Sequence, residues 1–359
     1  MINLTIDGRR VEAEPGSTIM AAADAAGIHI PRLCHYPLLK PSGGCRLCVV
    51  SVKGARSLIS ACTTPVAEGM VVETQSAPVR EARREALDLL VSNHPLDCFA
   101  CEAAGDCALQ DYAYEYGVRE GSYQGARRKL SAPPDPNPFF QVDYAKCILC
   151  GICVRMCDEV MGYGAIDFKK RGFDTLVGTA YDLPLAESGC VFCGNCVQGC
   201  PVGALLPRSI VGAGRSWELK KVRTICPYCG VGCALDLHVK GDRVVQVTGA
   251  ESPTNHTLTC VKGRFGWEYI HHPDRLTVPL IRREGVPRGS ARREDFREAT
   301  WDEALDLAAQ GLLAARSQHG PDAVAGLSSA KASNEENYLF QKLMRCAVGT
   351  NNVDHCARL

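Results

Sequence analysis

Residues 147–157 read CILCGICVRMC, and residues 190–201 repeat this spacing as CVFCGNCVQGCP. In each copy three cysteines are separated by two residues, and a fourth follows after three more. This is the spacing of a protein that binds two 4Fe-4S clusters and exchanges the fourth ligand between them. Paired zinc sites are the alternative, because C-x2-C is common in zinc proteins, but zinc usually takes two separated pairs. The predicted ligands are Cys147, Cys150, Cys153 and Cys200 for one cluster, and Cys157, Cys190, Cys193 and Cys196 for the other.

The composition of the chain points to metal binding rather than to disulfide bonds. The chain has 359 residues, of which 21 are cysteine, and its N-terminus reads as a strand instead of a signal peptide. We therefore expect a reducing, cytoplasmic location. The net charge of zero and the 6% of aromatic residues argue against nucleic-acid binding, and no apolar run is long enough to span a membrane.

Residues 1–77 are predicted to form a small β-rich domain. Strands Asn3–Ile6 and Val11–Glu14 form a hairpin, and a helix Ile19–Ala26 follows. The next four cysteines are spaced C-x10-C-x2-C-x13-C in this β-grasp-like setting, which indicates a 2Fe-2S cluster, with zinc as the alternative. The predicted ligands are Cys34, Cys45, Cys48 and Cys62.

Residues 78–120 are predicted to be mostly helical, with Val79 and Leu87 on the apolar face and Arg83 on the polar face. Only three cysteines follow, whereas a 4Fe-4S cluster needs four ligands. A histidine four residues before the first of them is the predicted fourth ligand, because a neutral imidazole is a usual metal donor; a structural histidine is the alternative. The predicted ligands are His94, Cys98, Cys101 and Cys107.

Residues 121–140 are rich in glycine and proline and are predicted to be a linker, and residues 141–211 are predicted to form the double 4Fe-4S domain. Residues 217–270 contain a further spacing, C-x2-C-x3-C-x26-C, with two predicted strands, Ala234–Val239 and Arg243–Val247, between the third and fourth cysteines. We expect another 4Fe-4S cluster here. Its predicted ligands are Cys226, Cys229, Cys233 and Cys260.

Residues 271–359 are predicted to begin a larger α/β domain. A helix Trp301–Arg316 is expected after a capping threonine, followed by a buried strand Ala323–Leu327. Ser333 is expected to cap a second helix that ends at Gly349. Two cysteines, Cys346 and Cys356, belong to none of the five motifs and are expected to be small apolar side chains.

The order of these five motifs resembles the catalytic subunit of cytosolic, NAD-linked formate dehydrogenases that depend on molybdenum or tungsten. Residues 1–77 resemble the N-terminal domain shared by these enzymes, iron hydrogenases and the large peripheral subunit of complex I. Residues 217–270 resemble the 4Fe-4S subdomain of the bis-pterin oxidoreductases, and residues 349–359 resemble the segment that runs into the metal-binding cysteine or selenocysteine. The resemblance implies an α+β multidomain protein in which residues 271–359 are a truncated α/β pterin domain.

The resemblance also implies a mechanism for the full-length protein. Formate would be oxidised to carbon dioxide at a molybdenum or tungsten bis-molybdopterin guanine dinucleotide, whose metal ligand is expected just after Leu359. Lys262 would lie between the pterin and the nearest cluster and assist electron transfer, although an exposed lysine is the alternative. Electrons would pass through four 4Fe-4S clusters and one 2Fe-2S cluster to flavin-containing, NAD-reducing diaphorase subunits. The chain alone is therefore not expected to oxidise formate.

Two alternatives remain open at the level of sequence. The chain is expected to end at Leu359 for one of two reasons. Either a selenocysteine codon after Leu359 was read as a stop codon, or the chain is another kind of fragment. It could instead be a stand-alone electron-transfer subunit of a hydrogenase or of an NADH dehydrogenase-like complex. An iron hydrogenase shares the first four motifs, but its catalytic cysteines would follow Cys200, and the motif beginning at Cys226 does not have that pattern.

Overall fold

The computed structural model describes residues 1–128, 136–287, 289 and 292–356. Residues 129–135 of the predicted linker and the C-terminal residues 357–359 lie outside the described residues. The chain divides into two units. The first contains Met1–Arg223, Asp236–Thr248 and Leu258–Phe265, and the second contains Thr224–Leu235, Gly249–Thr257 and Gly266–Leu359.

The N-terminal part of the first unit is a five-stranded sheet with one helix. The predicted hairpin is confirmed, but its second strand begins at Arg9, because Ile6 pairs with Arg9 directly across the two-residue turn. The helix begins after Thr18, whose hydroxyl accepts a hydrogen bond from the Ala21 N–H. The elements are β1 (Ile2–Ile6), β2 (Arg9–Ala13), α1 (Ile19–Ala25), β3 (Val49–Val52), β4 (Ile59–Ser60) and β5 (Val71–Glu73), with sheet order β2-β1-β5-β3-β4.

The predicted helical region contains two helices, α2 (Ala77–Ser92) and α3 (Ala108–Glu115). The placement of Arg83 on the polar face was wrong, because its side chain is fully buried. Arg83 lies one turn from both Val79 and Leu87 and therefore shares their face. Its two Nη atoms donate there to the Tyr116 hydroxyl at 3.0 Å and to the carbonyl oxygen of Val49 at 2.9 Å, whereas its buried Nε has no hydrogen-bond partner among the described residues.

The double-motif region is built from short elements around two very short helices. Each helix starts at a glycine in the left-handed region, Gly151 at φ 72° and Gly194 at φ 71°. Phe140 pairs with Pro207, so the two ends of the region form one antiparallel ribbon. The elements are β6 (Phe140–Val142), α4 (Ile152–Arg155), β7 (Asp167–Lys169), β8 (Leu176–Gly178), α5 (Asn195–Gly199) and β9 (Leu205–Pro207).

The next cysteine motif is associated with a three-stranded sheet, which confirms the two predicted strands and adds a third. Each predicted strand is one or two residues longer than the sequence pattern indicated. The elements are β10 (Lys220–Ile225), β11 (Ala234–Lys240), β12 (Arg243–Gly249) and α6 (Val261–Phe265), with sheet order β10-β11-β12.

The second unit contains the last helices, and both predicted caps are confirmed by hydrogen bonds from Glu303 and Glu336 N–H groups to Thr300 and Ser333. The predicted strand Ala323–Leu327 is present but begins later, at Gly326, because Pro321 starts a 3-10 turn. The prediction of burial was right for Gly326 and wrong for Leu327, which is 80% exposed. The elements are β13 (Leu280–Arg282), β14 (Phe296–Glu298), α7 (Trp301–His319), β15 (Gly326–Ser328), α8 (Asn334–Lys342) and β16 (Val353–His355).

The apolar face predicted for α7 is largely solvent-exposed, with Leu305 59% exposed. A small core of Val324, Met344 and Val348 supports this part of the chain instead. Within the described ranges, no helix combines the length and the apolar character that a bilayer span requires.

Candidate iron–sulfur centres

One cavity of about 850 Å³ in the first unit brings together the cysteines of the double motif. The glycines that open α4 and α5 allow the chain to turn sharply between the second and third cysteine of each copy. At Gly194 an added Cβ would overlap the side chain of Arg264, so the turn also depends on a close approach. The cavity-lining cysteines are Cys147, Cys150, Cys153, Cys157, Cys190, Cys193, Cys196 and Cys200.

The electrostatic neighbours of these thiols include cysteines from both copies of the motif. Burial raises the pKa of Cys150 to about 12, and the thiols that raise it further are led by Cys200 and Cys147. Burial likewise raises the pKa of Cys196, and its neighbouring thiols include Cys157 from the other copy. Buried thiols become thiolates only beside a compensating cation, so the site suits an iron cluster. Ligation itself remains a prediction.

The four cysteines of the N-terminal motif lie together in two pairs. The Cys45 N–H donates to the Cys34 sulfur at 3.3 Å, and the sulfurs of Cys48 and Cys62 are 3.3 Å apart. A hydrogen bond with the Cys45 thiol, more than the Cys45 N–H, lowers the pKa of Cys34 to about 5, and one with the Cys62 thiol lowers the pKa of Cys48 to about 6. Each pair thus contains a sulfur that is stabilised as a thiolate, which is the form that binds iron.

The third candidate centre contains His94 and three cysteines. The Nδ1 atom of His94 is buried with no hydrogen-bond partner among the described residues. Such an atom costs about 1–3 kcal/mol unless it is satisfied, and a metal bond would satisfy it. Burial lowers the pKa of His94, which favours the neutral imidazole that binds metals. These observations fit the predicted ligand role but do not test it.

The cysteines of this third centre are held by contacts that the sequence did not suggest. Burial raises the pKa of Cys107 to about 11, and the Cys101 and Cys98 thiols raise it further, so the three lie near one another. Arg215 donates hydrogen bonds to the carbonyl oxygens of Cys101 and Phe99. A Cβ at Gly203 would lie 2.8 Å from the Cys101 sulfur, so a glycine is required at this approach.

The predicted ligands of the last cluster are divided between the two units. Cys226, Cys229 and Cys233 belong to the second unit, where the Cys226 N–H donates to the Cys233 carbonyl oxygen at 2.9 Å. Cys260 belongs to the first unit and is exposed, as is Lys262. The exposure of Lys262 is compatible with both interpretations of this residue, and its role remains a prediction.

In the part of the chain that the structure describes, no three His, Cys, Asp or Glu side chains form a ligand group for a single metal ion. The ligands predicted for a 4Fe-4S cluster bind four different iron atoms, so their sulfurs are expected to surround a cube rather than a point.

An apolar core in the first unit joins three of the candidate centres. Cys101 and Cys107 are buried in this core, and Cys45, Cys147 and Cys200 pack against it. The first three motifs are therefore neighbours around one set of apolar side chains.

Arg155 adds a polar link between two of these centres. It lies between the third and fourth cysteine of the first copy and donates to the carbonyl oxygen of Cys34 at 2.7 Å. It also donates to the carbonyl oxygen of Lys40 at 2.7 Å. A position inside a spacer gives no sequence signal for such a long-range contact.

The double motif is also linked to the segment that carries Cys260. Asn195 is buried, and its side chain exchanges two hydrogen bonds with the backbone of Thr259, at 3.0 and 3.1 Å. Arg264 donates to the Cys193 carbonyl oxygen and to Asn195 Oδ1, both at 2.9 Å. The turn at Cys193 therefore contacts this segment, whereas Cys147 and Cys200 pack against the core shared with the first two motifs.

Five family models match successive parts of the chain, and their order confirms the predicted types of iron–sulfur and molybdopterin-related domains. They describe a 2Fe-2S iron–sulfur cluster binding domain (1–77), an NADH-ubiquinone oxidoreductase-G iron–sulfur binding region (83–122), a 4Fe-4S dicluster domain (146–204), a molybdopterin oxidoreductase Fe4S4 domain (219–272) and molybdopterin oxidoreductase (275–359).

Several curated proteins are similar along essentially the whole chain. They include the alpha subunit of the NADPH-Fe(3+) oxidoreductase of Geobacter sulfurreducens, 39% identical, and the G 2 subunit of the NADH-quinone oxidoreductase of Rhizobium meliloti, 40% identical, each over 100% of this chain. A Staphylococcus aureus protein provisionally named a formate dehydrogenase is 32% identical over 99% of this chain. The chain spans 40%, 40% and 39% of the lengths of these relatives, respectively.

A solved structure supports the same relationship. The crystal structure of an NAD+-reducing NiFe-hydrogenase in the H2-reduced state matches with a TM-score of 0.53 and 32% identity. The match covers 58% of this chain and 87% of the hydrogenase chain.

Proposed function

We propose that this chain, an iron–sulfur oxidoreductase protein related to the G subunits of NADH-quinone oxidoreductases and to NAD-reducing hydrogenase, conducts electrons between a nicotinamide-linked partner and a molybdopterin-type site in the full-length protein. The observation that carries the proposal is the cavity of the double motif, which is connected to the first two motifs by an apolar core and to the segment with Cys260 by the Asn195–Thr259 hydrogen bonds. When bound, iron–sulfur clusters take up and release single electrons.

The chain's own residues would perform three tasks in this function. The buried cysteines would hold the clusters away from water, in the ligand sets predicted from the spacing. Arg155 would keep the 2Fe-2S loop against the first copy of the double motif through the Cys34 carbonyl. The Asn195–Thr259 pair would keep the second copy against the segment with Cys260 and Lys262.

For the electron donor of the full-length protein we propose formate, oxidised at a molybdenum or tungsten bis-pterin site, with diaphorase subunits as the partner. The Staphylococcus aureus relative and the resemblance of residues 349–356 to formate dehydrogenases favour this reaction. The names of the Geobacter and Rhizobium relatives favour the second candidate, in which a reduced nicotinamide is the donor and formate is not used.

The two candidates differ in which compound reduces the clusters. The test is anaerobic addition of formate, or of NADH or NADPH, to the full-length protein with its partner subunits, followed by EPR of the reduced clusters. If formate is the donor, formate as the sole reductant should produce EPR signals of reduced clusters and should reduce added NAD. Cluster reduction by the nicotinamides but not by formate, in a protein loaded with its pterin metal, would reject formate as the donor and keep the electron-conducting role.

A Cys196→Ser variant tests conduction separately from chemistry. Cys196 lies in the copy that contacts the segment with Cys260. Its loss should therefore interrupt electron transfer between the pterin site and the nicotinamide-linked partner. Dye reduction at the pterin side should persist, whereas electron transfer between formate and NAD should fall. Unchanged formate–NAD transfer would contradict the proposed path.

A further inference from the structure

Arg264 is the buried cation at the candidate centre of Cys157, Cys190, Cys193 and Cys196. Arg264 is 3% exposed, and it donates hydrogen bonds to the Cys193 carbonyl oxygen and to Asn195 Oδ1. The Cys193 carbonyl and Asn195 lie on either side of Gly194, so the guanidinium spans the tight turn of the second copy.

The chain provides space for this cation in a specific way. Gly194 has φ 71°, and an added Cβ would overlap the Cδ atom of Arg264. Asn195 is itself fixed by Thr259, so the acceptor that orients the guanidinium is held in place. A guanidinium keeps its positive charge in proteins, so Arg264 places a fixed charge at this turn.

We propose that Arg264 is a positioning residue whose fixed charge raises the reduction potential of the cluster held by Cys157, Cys190, Cys193 and Cys196. A buried positive charge stabilises the added electron more strongly than an exposed one, because little water screens it. Net charge and hydrogen bonding around the sulfurs are established determinants of cluster potential. This proposal rests on the proposed iron–sulfur function.

The test is an EPR-monitored redox titration of the anaerobically purified full-length protein. Arg264→Gln removes the charge, and Arg264→Lys keeps it. Asn195→Asp keeps the arginine but adds a carboxylate beside it. Arg171→Gln is the matched control, because Arg171 is an exposed arginine of the same region. The EPR signal of this cluster is identified as the one that disappears in a Cys190→Ser variant, because Cys190 is one of its predicted ligands.

We expect Arg264→Gln and Asn195→Asp to disfavour reduction of this cluster by tenfold or more, which corresponds to ~59 mV for one electron. Arg264→Lys and Arg171→Gln should stay near the wild-type potential. Full iron content in Arg264→Gln with unchanged potentials would overturn the proposal.

If Arg264→Gln loses iron, the test depends on Asn195→Asp and Arg264→Lys. The proposal then requires that Asn195→Asp lowers the reduction potential of this cluster and that Arg264→Lys leaves it near the wild-type value. Loss of iron from all three would give Arg264 a structural role only and would also overturn the proposal. Failure of the underlying function is distinguishable, because the wild-type protein would then lack the cluster signals altogether.

Discussion

At the residue scale, the buried imidazole of His94 gives the sharpest test of the unusual third centre. Replacing it with alanine should remove a ligand and reduce the iron content by about four atoms. His94→Cys should keep the iron but make the cluster more negative and therefore harder to reduce. Iron analysis and EPR of the two variants provide the measurement. A His94→Ala protein with wild-type iron content and potentials would identify His94 as a structural histidine.

Gly203 gives a second residue-scale prediction, based on packing. In Gly203→Ala the new Cβ would press on the Cys101 sulfur, so we expect a destabilisation of about 1–3 kcal/mol and partial loss of iron from this centre. Gly125→Ala is the control, because nothing lies within 4 Å of a Cβ at Gly125. Chemical unfolding and iron analysis measure the two effects. Equal stability and iron content in the two variants would contradict the close approach.

The buried His238 side chain should make the local stability of β11 depend on pH. Its side chain is buried in β11 and hydrogen-bonded to Thr248, and burial lowers its pKa, with Lys221 acting in the same direction and Asp106 and Asp236 against it. The unfolded chain therefore binds the proton more readily. Stability is fully present above the ordinary pKa of 6.5 and is lost as the pH falls through the lower folded value.

Hydrogen exchange of the β11 amides measures this effect. The free energy of opening should fall between about pH 7.5 and pH 5.5 in the wild-type chain, and the fall should be smaller in His238→Gln. The same fall in both proteins would show that another group is responsible.

At the scale of elements, the two units should respond differently to the loss of a leucine from a helix. Leu87 on α2 is fully buried, so Leu87→Ala should cost about 2–5 kcal/mol. Leu305 on α7 is mostly exposed, so Leu305→Ala should change the free energy of unfolding by less than about 0.5 kcal/mol. Urea unfolding of this 359-residue chain provides the comparison. A large effect at Leu305 would show that α7 is buried in solution.

The elements that the sequence predicted well are those fixed by local chemistry. The Asp7-Gly8 turn sets the register of the first hairpin, and Thr300 and Ser333 begin their helices through their own hydroxyl groups. The failures depended on distant partners. Buried Arg83 donates hydrogen bonds to Val49 and Tyr116, which lie 34 and 33 residues away in the chain.

The same distinction applies to the candidate site. Cysteine spacing predicted the ligand sets, because short spacers limit where the sulfurs can go, and these sets stay predictions. The contacts of Arg264 with Asn195, 69 residues away, and of Arg155 with Cys34, 121 residues away, depend on tertiary packing and have no local signature. The sequence therefore indicated the candidate ligands of the centres but not the side chains that connect one centre to another.

At the scale of the whole molecule, the double motif contacts both the N-terminal centres and the segment with Cys260. Cys147 and Cys200 pack against the core of the N-terminal centres, Arg155 donates to Cys34, and Asn195 is hydrogen-bonded to Thr259. The motif spacing alone could not provide these contacts, because all five motifs are consecutive in the chain and adjacency in sequence does not define adjacency in space. These contacts favour electron conduction over five independent metal sites.

The most direct test of the central claim is metal analysis combined with EPR of the anaerobically purified chain before and after reduction. The ligand sets proposed here predict about 18 iron atoms, from one 2Fe-2S and four 4Fe-4S clusters, with magnetic interaction between the two clusters of the double motif. Zinc in place of iron, or an iron content far below this value in a folded protein, would contradict the account.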